Sequence, residues 1–279
     1  ISDKLRLNLY EAEGHNDKLL PNLTKSSRLI FSLYFGYIVL GTILYLICGM
    51  NFFDALNHSI AALSTGGFST KAGNIYDFHS LPIDLVSILL MLLGSTNFVI
   101  HICLLKRKFK TVLLHSETIF TFITLITFSL LSLIIFSIIG FKTDNSNIMV
   151  IIFQFVSALT TTGFQNISSI NILPHFFIGM MIILMLIGGE MGSTAGGIKQ
   201  FRIISCLKGI KQYIASAMKN KKIISLVKIR KDEQILYYDE KDFFSNYAFV
   251  FTYLIIFIIG TTIFSSFGKP KSNISFTSS

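Results

Sequence analysis

The sequence predicts an all-α integral membrane protein built from repeated helical units. Three observations predict this: an apolar composition, long uncharged runs that recur along the chain, and a short motif that occurs twice. Of the 279 residues, 52% are hydrophobic and 14% are charged. Soluble domains carry about 25% charged residues. The composition therefore argues against a soluble enzyme, a disordered tail or a nucleic-acid-binding module.

Five uncharged runs are long enough, or nearly so, to cross a bilayer, which needs about 20 apolar residues. They are 29–49, 85–105, 118–141, a run from Phe176 that soon meets Glu190, and 243–268. A soluble core could bury one such helix, but five in one chain indicate a membrane. The second run, 85–105, lies between Asp84 and Lys106 and is predicted to be one of these spans.

Two shorter apolar runs, 52–63 and 148–159, are typical of core helices or re-entrant segments. Each leads into a matching cluster. Residues 62–68 read Ala-Leu-Ser-Thr-Gly-Gly-Phe, and residues 158–164, 96 positions later, read Ala-Leu-Thr-Thr-Thr-Gly-Phe. We interpret the pair as a repeated unit of span, short helix, extended loop and span. Repeats in membrane proteins usually surround a shared axis or site.

Basic residues concentrate in three segments that alternate with the spans. Residues 1–28, 106–117 and 190–242 together hold 20 of the 24 Lys and Arg residues. If residues 1–28 are cytoplasmic, all three segments lie on that face, as the positive-inside rule requires. The net charge of +9 is then explained by the membrane topology and by contact with anionic lipid. No nucleic-acid partner is predicted.

Two candidate ion-filter loops follow the short helices. The first loop comprises Thr65, Gly66, Gly67 and Phe68, and the second loop comprises Thr161, Thr162, Gly163 and Phe164. Backbone carbonyls aimed at one axis can replace the water around a potassium ion. Glycine reaches the backbone angles that this needs, and a short helix directs the negative end of its dipole at the cation.

The predicted potassium ligands are the backbone carbonyls of Thr65, Gly66, Gly67, Thr161, Thr162 and Gly163. The alternative is that both clusters are ordinary turns at helix ends. One copy alone would favour that alternative, whereas two copies in matching contexts favour a filter.

The fourth apolar run breaks after about 14 residues. We call residues 188–197 the glycine loop, with the candidate gating residues Gly188, Gly189, Glu190, Gly192, Ser193, Thr194, Gly196 and Gly197. A mobile loop of small residues there could act as a gate, and the alternative is a packing face for neighbouring helices. Glu190 is a functional candidate because it lies at or near membrane depth, and its partner could be Lys199 or Arg202.

The chain resembles the membrane subunit of the Trk/Ktr potassium uptake systems. The resemblance rests on 13–21, Gly49-Met50, 64–69, 161–164 and the segment 192–202, which reads Gly-Ser-Thr-Ala-Gly-Gly-Ile-Lys-Gln-Phe-Arg. It implies four repeats around a pseudo-fourfold pore, of which this chain holds about two and a half. It also implies key glycines at Gly67 and Gly163 and a gating loop at Gly188 to Gly197.

The same resemblance implies a homodimer gated by a cytoplasmic nucleotide-binding regulatory subunit. The basic stretch from Lys199 to Lys231 could contribute to that docking face, although solvated or lipid-anchoring charges are the simpler interpretation. Glu190 stands where the family would have an uncharged residue. By the same resemblance, we expect this sequence to lack the first repeat and to end before the filter loop of the fourth.

The chain divides into six predicted segments: a cytoplasmic N-terminal segment (1–28), a complete repeat (29–105), a basic cytoplasmic loop (106–117), a repeat with a broken second helix (118–218), a cytoplasmic linker (219–242), and the first helix and truncated pore segment of a further repeat (243–279).

The predicted function is potassium uptake across the plasma membrane, with no cofactor in this chain and potassium as the transported ion. Three alternatives remain open: a symporter that couples potassium to sodium or protons, an intramembrane enzyme with Ser193 as nucleophile, and a non-conducting anchor. Asn97 and His101 are predicted to make contacts between helices, and no cluster of metal-ligating residues is apparent.

Overall fold

The computed structural model describes residues 23–141, 147–219, 227–231, 234–238 and 240–267. Its helices are α1 (Leu23–Ile47), α2 (Phe52–Leu63), α3 (Leu81–Ser95), α4 (Phe98–Leu105), α5 (Phe109–Leu114), α6 (Ser116–Ile139), α7 (Asn147–Leu159), α8 (His175–Ile187), α9 (Gln200–Lys219) and α10 (Glu240–Phe267). The short helices α2 and α7 lie at the two short apolar runs. The predicted N-terminal segment up to residue 22 and the truncated pore segment from residue 268 lie outside the described residues.

Within the described residues, three helices are long and apolar enough to cross a membrane: 27–47 in α1, 116–139 in α6 and 243–267 in α10. Their surfaces are strongly apolar, and Phe264, for example, is 85% exposed. Large exposed apolar surfaces are rare on soluble monomers but are suited to lipid. The predicted all-α membrane architecture is thus confirmed.

The second uncharged run, predicted as one span, forms two helices that are joined at a sharp bend. The axes of α3 and α4 differ by 109°. Between them, the Asn97 side chain accepts a hydrogen bond from the amide of Val99 at 2.8 Å, so Asn97 caps α4. The amide of Asn97 donates to the Glu190 carboxylate at 2.9 Å. The backbone amides of Asn97 and Val99 at the bend therefore have hydrogen-bond acceptors within the protein. Irregular backbone at membrane depth requires such partners.

The fourth apolar run ends where the glycines begin. Helix α8 stops at Ile187, and the next helix, α9, starts at Gln200. The intervening chain doubles back on itself, because the amide of Ile198 donates to the carbonyl of Leu186 at 2.9 Å and that of Lys199 to Ile187 at 3.0 Å. The glycine loop is consequently closed at its base by backbone hydrogen bonds.

The stretch 219–242, predicted only as a linker, contains an antiparallel hairpin. Strand β1 (Val227–Lys231) pairs with β2 (Gln234–Tyr238), with Ile229 opposite Leu236. The β1 sequence alternates apolar and basic residues, which is the period of a strand. This small hairpin is the part of the described fold that the helical prediction omitted.

Two apolar clusters hold the helices together. Tyr45, Leu63 and Leu90 belong to the first cluster, among α1, α2 and α3, and Phe164 from the second loop is also buried there. The second cluster lies among α6, α7 and α8, where Phe155 and Phe177 stack at 4.5 Å between ring centroids. Because Phe164 fills part of the first cluster, the two helical units share a core, and that core fixes the relative positions of the two loops.

Candidate filter and glycine-loop site

The first loop leaves α2 in a left-handed turn. Thr65 has a φ of 51° and Gly67 a φ of 67°. The amides of Gly66 and Gly67 turn back to the carbonyl of Ala61 at 2.8 and 3.4 Å. Threonine seldom adopts a positive φ, so the surrounding contacts must hold it there. Phe68 is 81% exposed and its ring therefore lies outside the core.

The second loop has the same backbone pattern. Thr161 has a φ of 54° and Gly163 a φ of 90°, so a left-handed threonine is followed two residues later by a left-handed glycine in both loops. The hydroxyl of Ser157 donates to the Phe164 carbonyl at 2.8 Å and accepts from the Gly163 amide at 3.1 Å. Phe164 is fully buried, so its ring anchors the second loop in the core. The exposed ring of Phe68 provides no such anchor for the first loop.

The two loops meet at Gly67. A Cβ atom built on Gly67 would collide with the carbonyl oxygen of Thr162 and lie 3.2 Å from the carbonyl carbon of Gly163. A Cβ atom on Gly163 would meet nothing within 4 Å. The structure thus brings the predicted filter residues of the two units into contact, and the close approach excludes a side chain at Gly67.

Asn74, which was not among the predicted site residues, bridges the loops. Its side-chain amide donates to the Gly67 carbonyl at 3.3 Å, and its side-chain oxygen accepts from the amide of Gln165 at 3.4 Å. The amide of Tyr76 also donates to the Gln165 carbonyl at 3.1 Å. A glycine before an asparagine predicts a turn, but it does not reveal a partner 91 residues away.

Residues on α2 fasten the chain that leaves the first loop. The carboxylate of Asp54 accepts from the Thr70 hydroxyl at 2.5 Å and lies 3.7 Å from the ammonium of Lys71. One ring nitrogen of His58 lies 2.8 Å from the hydroxyl of Ser69. The Thr70 hydrogen bond, helped by the charge of Lys71, lowers the pKa of Asp54, which lies outside the spanning helices.

We expect Asp54→Asn to lower the melting temperature of the purified protein at neutral pH, and the difference to shrink below about pH 4. A carboxylate whose folded-state pKa is lowered stabilises the protein above the unfolded-state pKa of about 3.9, and the contribution is lost as the pH falls through the lower folded-state pKa. Thermal unfolding of both proteins across this pH range measures the effect. Asp77→Asn, at an exposed carboxylate, is the control. A difference that stays constant down to acid pH would contradict the assignment.

The glycine loop contacts both candidate filter loops. The Thr65 hydroxyl donates to the carbonyl of Thr194 at 3.0 Å, and the amide of Gly196 donates to the Thr161 hydroxyl at 2.7 Å. The hydroxyl of Thr194 also lies 2.9 Å from the carbonyl of Leu63, the last residue of α2. Each left-handed threonine is therefore hydrogen-bonded to the glycine loop.

Glycine is required where the loop crosses itself. Gly188 and Gly197 have φ values of 74° and 84°. A Cβ atom on Gly197 would lie 2.6 Å from the Cα atom of Gly188, and one on Gly188 would collide with the carbonyl of Gly196. These contacts favour a loop with a defined shape over a simple packing face of small residues.

Two buried carboxylates clamp the ends of the glycine loop. Glu117, at the start of α6, accepts from the amides of Met191 at 2.8 Å and Phe201 at 3.0 Å. Glu190 accepts from the amide of Asn97 at 2.9 Å and from the Thr118 hydroxyl at 2.9 Å. One carboxylate thus reaches from α6 to the loop, and the other reaches from the loop back to α6.

His115 completes this cluster. Its Nε2 atom lies 3.8 Å from a carboxylate oxygen of Glu117, and its Nδ1 atom lies 4.0 Å from one of Glu190. All three side chains are buried. Glu190 was a candidate from the sequence, whereas Glu117 and His115 were not. The available signal was an acidic residue beside a histidine at the start of a spanning run, where a functional charge is expected.

The helix-contact prediction for His101 agrees with its geometry. Its two ring nitrogens lie 3.1 Å from the Tyr37 hydroxyl and 3.0 Å from the Leu93 carbonyl. Ser193, the nucleophile of the enzyme alternative, donates its hydroxyl to the backbone carbonyl of Glu190 at 2.6 Å.

Comparison with known proteins gives consistent matches. The family described as TrkH, cation transport protein, matches residues 2–141 and 104–277. An uncharacterized cation transporter of Methanocaldococcus jannaschii is 33% identical over 207 residues, covering 72% of this chain and 40% of that protein. The Trk system potassium uptake protein TrkH of Escherichia coli is 28% identical over 279 residues, covering 96% of this chain and 57% of that protein.

A solved structure has the same fold. The crystal structure of the potassium transporter TrkH from Vibrio parahaemolyticus matches with a TM-score of 0.71 and 20% sequence identity, over 82% of this chain and 49% of that chain. The chain spans about half the length of the proteins that it matches.

Proposed function

Because the chain belongs to the TrkH family of cation transport proteins, as its resemblance predicted, we propose that the natural protein carrying it takes up potassium across the cell membrane. In this proposal the first and second loops line the pore as filter segments. The glycine loop acts as its gate. Curated relatives named as Trk potassium uptake proteins support the choice of ion.

The contact between Gly67 and the Thr162–Gly163 backbone is the observation that carries this proposal. Loops from different units must converge if their carbonyl oxygens are to surround one ion. Both loops combine a left-handed threonine with a left-handed glycine, and both follow short helices. The C-terminal ends of those helices carry partial negative charge, which is favourable near the path of a cation. The predicted ligands are the carbonyls of residues 65–67 and 161–163.

The contacts of the glycine loop support its assignment as the gate. A segment that hydrogen-bonds to Thr65 and Thr161 can obstruct the space beside both filter loops. Movement of that segment would break its contacts with neighbouring segments without unwinding a helix, because α8 ends before the loop and α9 begins after it. Discontinuous helices of this kind recur at transport sites.

The rest of the assembly is proposed from the family resemblance and the charge pattern. The protein is a multi-pass membrane protein in contact with lipid, with the N-terminal end of this sequence in the cytoplasm. It forms a homodimer regulated by a cytoplasmic nucleotide-binding subunit. It needs no cofactor of its own and acts as a transporter instead of an enzyme.

A second candidate function is potassium symport with sodium or protons. The buried cluster of His115, Glu117 and Glu190 favours it, because ionisable groups at membrane depth are typical of proton relays. The cluster lies beside the glycine loop, so a change in its charge could alter the position of that loop.

The experiment is potassium uptake by the natural protein, expressed with its regulatory partner in cells that lack their own uptake systems. We expect growth at low external potassium and uptake of potassium in a flux assay. Imposed sodium and proton gradients separate the two candidates: flux that follows the potassium gradient alone supports a pore, and flux that follows a second gradient supports symport. No uptake under any gradient would contradict both.

A further inference from the structure

Lys199 adopts a backbone conformation that ordinarily favours glycine. Its φ is 81°, and its amide is bonded to the Ile187 carbonyl at 3.0 Å. Gly197, two residues earlier, has a similar φ of 84°. A strained residue persists when its surroundings hold it, and such residues cluster at switches and ligand clamps. Since glycine would fit here without strain, a lysine at this position suggests that its side chain has a use.

The side chain of Lys199 folds back over the glycine loop. Its ammonium donates to the carbonyl oxygen of Ala195 and lies 3.4 Å from the carbonyl oxygen of Ser193. Arg202, the other cation of this motif, donates to the carbonyl of Ile198 at 3.2 Å, and its guanidinium stacks on the ring of Phe249 in α10, 3.8 Å from the centroid. The ammonium of Lys199 therefore lies at the carbonyl oxygens of Ser193 and Ala195, within the glycine loop.

Ala195 lies between the loop's two attachments to the filter. Thr194 accepts the hydrogen bond of Thr65, and Gly196 donates to Thr161. The carbonyl that holds the ammonium therefore belongs to the residue between those contacts. Ala195 is itself buried. A positive charge on this carbonyl therefore lies one residue from each of the two loop residues that bind the left-handed threonines.

We propose that the carbonyl oxygens of Ser193 and Ala195 form a monovalent-cation site in the glycine loop, and that the ammonium of Lys199 occupies it as a tethered cation. Backbone carbonyls are the ligands that stabilise a dehydrated potassium ion, and an ammonium is a compact point charge on a flexible stem. While Lys199 is bound, the loop stays closed and an entering potassium ion is excluded. This inference rests on the proposed potassium pathway.

The test compares variants of the natural protein, purified and reconstituted into liposomes without its regulatory partner. Lys199→Met keeps the length of the side chain but removes the charge, and we expect basal potassium flux to rise by about tenfold, the factor expected for loss of one charge-assisted hydrogen bond. Lys199→Arg retains a cation and should stay near the wild-type flux. Lys211→Met, at an exposed lysine of α9, is the matched control for loss of one positive charge.

A chemical rescue separates charge from packing. In a background without Cys48, Cys103 and Cys206, the variant Lys199→Cys should show raised flux. Aminoethyl methanethiosulfonate, which attaches an ammonium through a disulfide, should lower that flux again. A neutral methyl reagent should leave it high. If side-chain packing and not charge controlled the flux, the cationic and the neutral reagent would change the potassium flux by the same amount.

The outcomes decide between the inference and the proposed function. Raised flux in Lys199→Met that the arginine variant and the cationic reagent reverse supports the tethered cation. Wild-type flux in Lys199→Met, or equally raised flux in Lys199→Arg, overturns it. If the wild-type protein with its regulatory partner transports no potassium, the proposed function fails, which is a different result from unchanged gating in a working protein.

Discussion

Replacing Gly67 with alanine is expected to abolish most potassium transport by the natural protein while leaving its helices in place. An L-residue pays about 1–2 kcal/mol in the left-handed region, and Gly67 has a φ of 67°. The added methyl group would also collide with the carbonyl of Thr162. The two loops would have to separate, and the carbonyl oxygens would no longer converge on one ion. Potassium flux in liposomes should fall by at least about tenfold, since 1.4 kcal/mol corresponds to a factor of ten.

Two other glycines provide matched controls. Gly163→Ala has the same positive-φ strain, but its methyl group meets open space, so a smaller loss of flux is expected. Gly36→Ala, within α1, has neither problem and should transport like the wild type. Circular dichroism and size-exclusion chromatography would verify folding. Wild-type flux and selectivity in Gly67→Ala would remove Gly67 from the filter.

Replacing Glu117 with alanine is expected to release the glycine loop. The amides of Met191 and Phe201 would lose a shared carboxylate acceptor in a buried site. Hydrogen bonds to charged groups contribute about 1.5–3 kcal/mol each, so the free energy of unfolding should fall by about 3 kcal/mol or more. The folded fraction should show raised basal potassium flux, because the clamp acts on the loop that we propose as the gate.

Glu117→Gln is the matched variant. Its amide oxygen can still accept from both amides, so it should retain more stability and a lower basal flux than the alanine variant. Denaturant unfolding and liposome flux, measured on the same preparations, report the two effects separately. A glutamine variant as leaky as the alanine variant would mean that the negative charge matters more than the acceptor. An alanine variant with wild-type flux would contradict the clamp.

The helices and the two loops were predictable because their signals are local. Apolar runs bounded by charges located α1, α6 and α10, and the short runs located α2 and α7. The bend after Ser95 escaped prediction because only the absence of charge was considered. Asn97 at the start of an apolar segment is a strong capping residue. Read that way, 95–97 would have indicated a helix end inside the uncharged run.

The unpredicted parts of the candidate site depend on contacts between distant segments. Glu117 binds amides that lie 74 and 84 residues further along the chain, and Asn74 reaches Gln165 across 91 residues. No periodicity or spacing in one sequence encodes such pairs. The partner of Glu190 illustrates the same limit, because the sequence offered nearby cations, whereas the structure shows Asn97 and Thr118 as hydrogen-bond donors to it.

The burial of Phe164 in the cluster of the first unit limits how the two copies can diverge. Its ring centroid lies 5.8 Å from that of His58, so a larger or smaller residue at either place must be matched at the other. Two residues that pack together in this way constrain each other's substitutions. A change of size at His58 or at Phe164 would therefore be tolerated only in a protein in which the other residue has already changed to match it.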